Sequence, residues 1–174
     1  MFQSFEVTAR PEQGPPRLQD LRVEIEAEGL DGFLIPRADA HQGEYVAAHD
    51  ERLSWLTGFT GSAGFCAVLP AVAGVFIDGR YRTQVKAQVA SDFTPVPWPD
   101  VQLGPWLAEQ LPRGGVVGFD PWLHTPGQIE QARLALDGSG VELRQCGNLV
   151  DRIWHDQPPA PAAPAKVHPL EFAG

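Results

Sequence analysis

Length, composition and charge exclude several kinds of protein. The chain has 174 residues, of which 43% are hydrophobic and 20% charged, and its 13 basic and 22 acidic residues leave a net charge of −9. This length suits one globular domain with a short appendage, because domains usually contain about 100–150 residues. An acidic chain of this kind is a poor candidate for binding nucleic acid or an anionic membrane, since both require a cationic surface.

Targeting signals and cysteine usage favour a cytoplasmic protein. No stretch approaches the ~20 apolar residues of a membrane span, and the first residues, MFQSFE, lack the basic and apolar regions of a signal peptide. Cys66 and Cys146 lie in apolar stretches without a C-x-x-C spacing. They are typical of small buried side chains in a reducing compartment rather than of a disulfide or a zinc site.

The first third of the chain predicts an arm, a helix and a strand. Residues 1–16 are polar and contain three prolines, which predicts a loosely attached arm. Leu18, Leu21 and Ile25 recur at spacings of three and four, so they share one face of a helix. The GFLI run at residues 32–35 is stopped by a proline and predicts a buried strand.

A glycine-rich loop and a hairpin come next in the chain. Asp50 is positioned to cap a short helix that begins after it. Residues 58–64 (GFTGSAG) carry a glycine at every third position, which lets the backbone pass close to a bulky group. Two β-rich runs at residues 65–69 and 74–77 predict an antiparallel hairpin.

The second half alternates helices and short strands. Prolines confine the strand at residues 93–96 to an edge or an end of the sheet. The other predicted elements are helices near 81–89, 106–111, 129–136 and 149–154, and strands at 116–119 and 141–143. Because parallel strands need crossover helices, this order predicts an α/β domain with a mixed sheet of five or six strands and helices on its faces.

The tail differs in composition from the rest. Residues 157–165 (QPPAPAAPA) cannot form a core and predict an extended, fairly stiff linker that adds little stability. We therefore expect a domain over residues 1–156, and a linker with the start of a missing next domain over residues 157–174. On this interpretation the chain is the front part of a longer protein.

One polar loop collects possible metal ligands. They are Asp39, His41, Glu44, His49, Asp50 and Glu51. Their H-x-x-E spacing differs from the H-E-x-x-H pattern that places two imidazoles on one helix face. A loop whose side chains bond its own backbone is therefore the favoured interpretation.

A serine nucleophile is a further candidate, with Ser62 activated by His49 or His41. Its frame, TGSAG at residues 60–64, precedes a predicted strand, whereas the nucleophile of α/β-hydrolases lies between a strand and a helix. The same glycines match no phosphate-binding motif. Spacing alone thus shows no complete catalytic set.

Arg80 is the most informative charged residue. It comes directly after Asp78 and Gly79 at the end of a predicted strand, where a guanidinium can reach a carboxylate or a carbonyl of a ligand. A salt bridge with Asp78 or another acid of this acidic chain is an equally good interpretation. The residues alone leave both open.

Several ordered motifs together resemble a known family. The chain is similar to the amino-terminal domain of aminopeptidase P, or Xaa-Pro aminopeptidase, which is related to creatinases and prolidases. The motifs are DAHQGEYVA at 39–47, RLSWLTGFTGSAG at 52–64, DGRY at 78–81, GFDP at 118–121, NLVDRIW at 148–154 and HPLEFAG at 168–174.

The resemblance implies a creatinase-type α/β/α fold with a mixed sheet similar to ribonuclease H. It also implies a cytosolic, homodimeric parent enzyme that releases the N-terminal residue from peptides with proline second. In the family two manganese ions, held by Asp, Asp, His, Glu and Glu of a carboxyl-terminal domain, activate a water. We therefore expect no catalytic residue, metal ligand or cofactor in this chain, and no activity from the fragment alone.

For this domain the resemblance implies roles in substrate selection and assembly. Arg80 corresponds to the family's arginine that contacts bound peptide. The family often has proline and cysteine where this chain has Ala48 and His49, so the resemblance assigns no role to His49. The alternative is a free-standing α/β binding module without peptidase activity.

Overall fold

A six-stranded mixed sheet forms the centre of the computed structural model, which describes residues 9–172. Its strands are β1 (Gly32–Pro36), β2 (Phe65–Val68), β3 (Ala73–Ile77), β4 (Phe93–Pro97), β5 (Gly115–Phe119) and β6 (Val141–Gln145). The helices are α1 (Gly14–Ala27), α2 (Arg52–Thr57), α3 (Gln84–Gln88), α4 (Leu103–Gln110), α5 (Pro126–Ala135) and α6 (Leu149–Ile153). Within the described residues no helix is both long and apolar enough to cross a membrane.

The strand order brings most strand ends to one edge. The order is β4-β3-β2-β1-β5-β6, in which β2 is antiparallel to both its neighbours and every other pair is parallel. The ends of β1, β3, β4, β5 and β6 and the beginning of β2 therefore share one edge, the carboxyl edge. Two predictions are confirmed. Strands β2 and β3 form the predicted antiparallel hairpin, and β4 lies at the predicted edge of the sheet.

Helices cover both faces of the sheet. Alternate residues of a strand point to opposite faces, so Phe33 and Ile35 join one core while Leu34 joins the other. The first core contains buried side chains of α1, α2, α3 and α6, and the second contains those of α4 and α5. This arrangement is the predicted three-layer α/β/α fold.

Residues 9–16 of the predicted arm belong to the folded domain. Residues 1–8 lie outside the described residues, but Ala9 is buried and a 3-10 turn spans Pro11–Gln13. Helix α1 then begins at Gly14, and two of the prolines occupy its first turn, where a backbone N–H has no helical partner to bond. Gly14 packs on Phe93 so closely that a Cβ would lie 2.8 Å from the ring. The prolines thus start a helix, which corrects the loose-arm prediction over residues 9–16.

Asp50 does not cap α2, which corrects a second prediction. The residue belongs to a 3-10 turn at Ala48–Asp50, and α2 starts after Glu51 without a side-chain cap. The Asp50 carboxylate instead accepts a hydrogen bond from Arg52 Nη1 at 3.0 Å. A charged donor two residues away competes successfully with the helix N–H groups.

The tail is exposed beyond its first two residues. No helix or strand is present between α6 and a 3-10 turn at Leu170–Phe172, and side chains from Pro159 to Phe172 are exposed. Gln157 and Pro158 are half-buried and bonded to the domain.

Candidate functional site

Arg80 lies at the carboxyl edge, just after β3. Asp78 accepts the backbone N–H of Arg80 at 2.9 Å and thereby caps the 3-10 turn Gly79–Tyr81. The same carboxylate holds the guanidinium, with Nη2 to Oδ2 at 2.6 Å and Nε to Oδ1 at 3.1 Å. Even so, the Arg80 side chain is 67% exposed.

Both interpretations of Arg80 are compatible with this geometry. The hydrogen bonds from Arg80 lower the pKa of the Asp78 carboxyl. The carboxylate therefore stays charged at pH values below the usual pKa of an aspartate. Although the Asp78 side chain is only 16% exposed, its cationic partner remains in solvent. A pair of this kind contributes little to stability, typically about 0–1 kcal/mol. Among the described residues none accepts a hydrogen bond from Nη1 of Arg80, so the guanidinium keeps donors for a second acceptor.

Tyr81 connects this turn to the glycine-rich loop. Its Oη lies 2.5 Å from Ser62 Oγ and accepts the Ser62 backbone N–H at 3.2 Å. The Ser62 side chain lowers the pKa of the Tyr81 hydroxyl. The described contacts thus pair Ser62 with a tyrosine, whereas the ring of His49 binds Pro158. Within residues 9–172 no hydrogen bond joins Ser62 to His49 or His41.

The glycines of the loop have the predicted packing role. Phe59 is buried, and its ring lies edge-to-face with Tyr81 at 5.5 Å between centroids. A Cβ on Gly61 would lie 2.2 Å from Phe59 Cζ. Only a glycine lets the backbone cross this ring, so the loop and the Tyr81 turn keep a fixed relative position.

A cleft of about 440 Å³ opens beside Ser62. It lies where β1 and β5 are neighbours, and the chain continues from these two strands in opposite directions across the sheet. Ligands of open α/β sheets commonly bind at such a switch point. Its apolar lining comes from Leu34, Phe65, Trp98, Leu103, Leu123 and Ile129.

Arg37, directly after β1, closes one wall of the cleft. Its Nη1 donates to the carbonyl oxygens of Ser62 and Glu44, both at 3.2 Å, and its Nη2 lies 3.5 Å from Glu51 Oε1. Burial raises the pKa of Glu51, and the Arg37 charge opposes this shift. Arg37 therefore ties the polar loop after β1 to the glycine-rich loop. The sequence analysis did not identify Arg37 as a site residue. Like Arg80, it follows a predicted strand, and this position could have identified it.

His124 contributes a polar group to the other wall. Its Nδ1 lies 3.0 Å from the Asp120 carbonyl oxygen, which can only accept, so Nδ1 carries the proton. Burial lowers the pKa of this imidazole. In the neutral ring Nε2 is then an acceptor. No sequence pattern singled out His124, because its role depends on the distant residues around the cleft.

In the loop of possible metal ligands, a side chain hydrogen-bonds the loop's own backbone, which is the interpretation that the sequence favoured. Asp39 Oδ1 accepts the N–H groups of His41 and Gly43, both at 2.9 Å, and the hydrogen bond from Gly43 is the main cause of the lowered pKa of Asp39. Across residues 9–172 no group of three His, Cys, Asp or Glu side chains is arranged to hold a metal ion.

Known proteins similar to this chain include peptidases. The family profile of the creatinase/prolidase N-terminal domain matches residues 17–153. Xaa-Pro aminopeptidase 2 of Homo sapiens is 38% identical over 167 residues, which cover 90% of this chain and 24% of that protein. The probable Xaa-Pro aminopeptidase P of Talaromyces marneffei is 38% identical over 168 residues, which cover 91% and 25%. This chain thus spans about a quarter of the length of these curated relatives.

Solved structures show the same fold. X-prolyl aminopeptidase from Caenorhabditis elegans, a cytosolic enzyme with a dinuclear active site, superimposes with a TM-score of 0.77 at 34% identity, over 83% of this chain and 26% of that one. The N-terminal domain of the cytoplasmic peptidase PepQ from Mycobacterium tuberculosis has a TM-score of 0.61 at 29% identity, over 79% and 98%. The chain belongs to the creatinase/prolidase N-terminal domain family.

Proposed function

We propose that this chain is the N-terminal domain of a cytoplasmic, homodimeric Xaa-Pro metallo-aminopeptidase, in which it contributes to substrate selection and assembly. The parent enzyme would release the N-terminal residue from peptides with proline second. The observation that carries this proposal is Arg80, a largely exposed guanidinium on the DGRY motif of a chain similar to Xaa-Pro aminopeptidases.

Arg80 would bind a carbonyl or carboxylate of the peptide. Asp78 orients the guanidinium without consuming all its donors. A hydrogen bond from a charged donor contributes about 1.5–3 kcal/mol, which corresponds to roughly one to two decades in binding. Arg80 is linked to the apolar cleft only through its neighbour Tyr81, whose Oη bonds Ser62 in the cleft lining. A peptide that spans Arg80 and Ser62 would place side chains in that cleft.

Exposed aromatic residues support a role in assembly. Tyr45, Trp98 and Trp122 are 89%, 40% and 75% exposed. They come after β1, β4 and β5, so all three lie in loops of the carboxyl edge. Tyrosine and tryptophan are enriched at protein interfaces. This edge would therefore face another part of the parent enzyme or a second subunit.

Catalysis would depend on residues outside this chain. Two manganese ions would supply the activated water from a further domain of the parent. This domain would hold and orient the peptide, and alone it would be inactive.

The proposal is tested with the full reading frame that contains this sequence. We expect the complete protein with Mn²⁺ to release the first residue from a Xaa-Pro peptide, and not from the matched peptide with alanine in place of proline. The 174-residue chain should release neither, with or without Mn²⁺. Turnover by the pure fragment that a chelator abolishes would overturn the assignment of catalysis to another domain. A reading frame that stops at Gly174 would instead favour the free-standing binding module.

A further inference from the structure

The chain turns sharply as it leaves the last helix. Trp154, directly after α6, is buried and stacks on Trp55 with 5.1 Å between ring centroids and 19° between planes. The backbone N–H of Gln157 then donates to the Trp154 carbonyl oxygen at 3.1 Å. A buried aromatic anchor and the closed turn after it bring Gln157 and Pro158 back against the domain.

Gln157 and Pro158 are bonded to the turn before α2. The Gln157 amide Nε2 lies 2.9 Å from the His49 carbonyl oxygen and 3.0 Å from Asp151 Oδ1. In return His49 Nδ1 lies 2.7 Å from the Pro158 carbonyl oxygen. Since that oxygen can only accept, Nδ1 is the donor. His49 thus holds the tail by its main chain and its ring together.

The groups that receive the tail are themselves held by a buried cation. Arg52 is only 5% exposed. Its Nε and Nη2 bond both oxygens of Asp151 at 2.6 and 2.9 Å, and its Nη1 bonds Asp50 at 3.0 Å. A bidentate arginine–carboxylate pair fixes orientation as well as distance. Asp151 is therefore a rigid acceptor for Gln157.

A stiff segment continues from this attachment. Residues 159–165 are PAPAAPA, and proline-rich chain is extended at about 3.1 Å per residue. Seven such residues span roughly 20 Å. When the base of a stiff segment is fixed, its direction is fixed as well.

We infer that His49, Arg52, Asp151 and Gln157 form a linker clamp, which sets the direction in which the Pro/Ala segment leaves the domain. His49 is then a positioning residue, with no part in metal binding or nucleophilic chemistry. This inference rests on the proposed function in one respect: in a parent aminopeptidase the clamp would orient the carboxyl edge, with Arg80, relative to the next domain.

The clamp is tested on the 174-residue chain itself. We compare the wild type with His49→Ala, Gln157→Ala and the double variant. His41→Ala is the control, because His41 is exposed and takes part in none of the hydrogen bonds that hold the tail. The readouts are the ¹⁵N heteronuclear NOE and hydrogen exchange of the Gln157 and Ala160 amides. In the wild type these NOE values should approach those of α6, and the backbone amide of residue 157 should exchange at least tenfold faster in the double variant, relative to its intrinsic rate for the residue present.

Spin labels measure direction independently of local mobility. With Cys146→Ser to remove the half-exposed thiol, labels at Ala163→Cys and Glu109→Cys should give a narrow distance distribution. The double variant should broaden it at least twofold, whereas His41→Ala should not. The clamp would be overturned if Gln157 and Ala160 of the wild type were as mobile as residues 166–172. It would also be overturned if the double variant left the distance distribution unchanged.

The complete enzyme separates the clamp from the proposed function. If the double variant frees the tail and lowers kcat/KM on Xaa-Pro peptides, the clamp also orients the domains. If it frees the tail while kcat/KM stays at the wild-type value, the clamp exists but the orienting role is wrong. Absence of any Xaa-Pro activity in the wild-type parent overturns the proposed function and leaves the tail measurements valid.

Discussion

Two arginine–aspartate pairs of this domain have similar geometry and different surroundings. Arg52 bonds Asp151 in bidentate fashion and is 5% exposed, whereas Arg80 bonds Asp78 through Nε and Nη2 and has a 67% exposed side chain. The buried pair joins α2 to α6, 99 residues apart in sequence. The exposed pair joins residues only two positions apart.

Burial decides what each pair does. Burial by itself lowers the pKa of Arg52, but hydrogen bonds and charges from Asp151 and Asp50 outweigh this and leave the pKa raised. Such a desolvated charge depends on its partners, and losing one of them is costly. Arg80 is solvated in any case, so its pair with Asp78 contributes little stability and leaves it available for a ligand.

The largest expected effect is on the buried pair. Arg52→Ala leaves Asp151 and Asp50 without their cation, and we expect a loss of about 3 kcal/mol, at the lower end for buried pairs because the Asp151 side chain is 34% exposed. Thermal unfolding should show a fall in Tm of roughly 6–12 °C. The control is Arg152→Ala, which removes two partly exposed pairs, with Glu24 and Glu28, and should cost at most about 1 kcal/mol. Equal losses in the two variants would contradict the burial argument.

The next effect is kinetic. Arg80→Ala in the complete enzyme should lower kcat/KM on Xaa-Pro peptides about ten- to hundredfold, since one charged hydrogen bond to the peptide is lost. The Tm of the 174-residue chain should change by less than about 2 °C. Lysine at this position should restore activity only in part, because it lacks the planar fork.

Arg82→Ala provides a matched control for Arg80. Arg82 is also exposed, and its Nη2 bonds Asp100 at 2.7 Å. It should leave both kcat/KM and Tm near the wild-type values. If Arg80→Ala instead lowers Tm and leaves the kinetics unchanged, Arg80 is a structural residue.

The same contrast applies to histidines and predicts a pH effect. Burial lowers the pKa of His124 below the ordinary value of 6.5. Below about pH 6.5, His124 therefore binds a proton more readily in the unfolded chain than in the folded chain. Acidification consequently lowers the free energy of unfolding. His124→Asn should reduce the fall in Tm between pH 7 and pH 5, while His41→Asn in the exposed loop should not. An identical pH dependence in both variants would show that His124 does not contribute.

The smallest effect concerns the tail. Removal of residues 159–174 should leave Tm unchanged within about 1 °C, because proline and alanine bury almost no surface there. Removal of residues 157–174 also deletes the partly exposed bonds to His49 and Asp151 and should cost about 1 kcal/mol. A fall of many degrees in the shorter deletion would mean that the Pro/Ala segment packs on the domain.

The sequence predicted well wherever the signal was local. Leu18, Leu21 and Ile25, whose spacing predicted one face of a helix, are all buried residues of α1. The edge position of β4 was predictable from Pro95, which cannot donate to a neighbouring strand. In each case the cause lies within a few residues of the effect.

Predictions failed where a residue found a partner other than the one that its local sequence pattern favours. Asp50 has the side chain of a helix cap, but Arg52 takes its carboxylate. Residues 9–16 have the composition of an arm, yet Gly14 packs against Phe93 in β4, far along the chain. The role of Arg37 depends on Ser62, which β1 and the order of the strands bring beside it.

The sequence by itself determined the α/β class, the hairpin, the edge strand and the family, because hydrophobic period, proline placement and ordered motifs are properties of short segments. Only the tertiary structure decided which charges are buried, which Ser62 partner is available and how the tail is attached. These depend on which strands become neighbours and on how much water remains between the side chains. Arg52 and Arg80 have the same side chain, and the solvent around it distinguishes a structural residue from one that can reach a ligand.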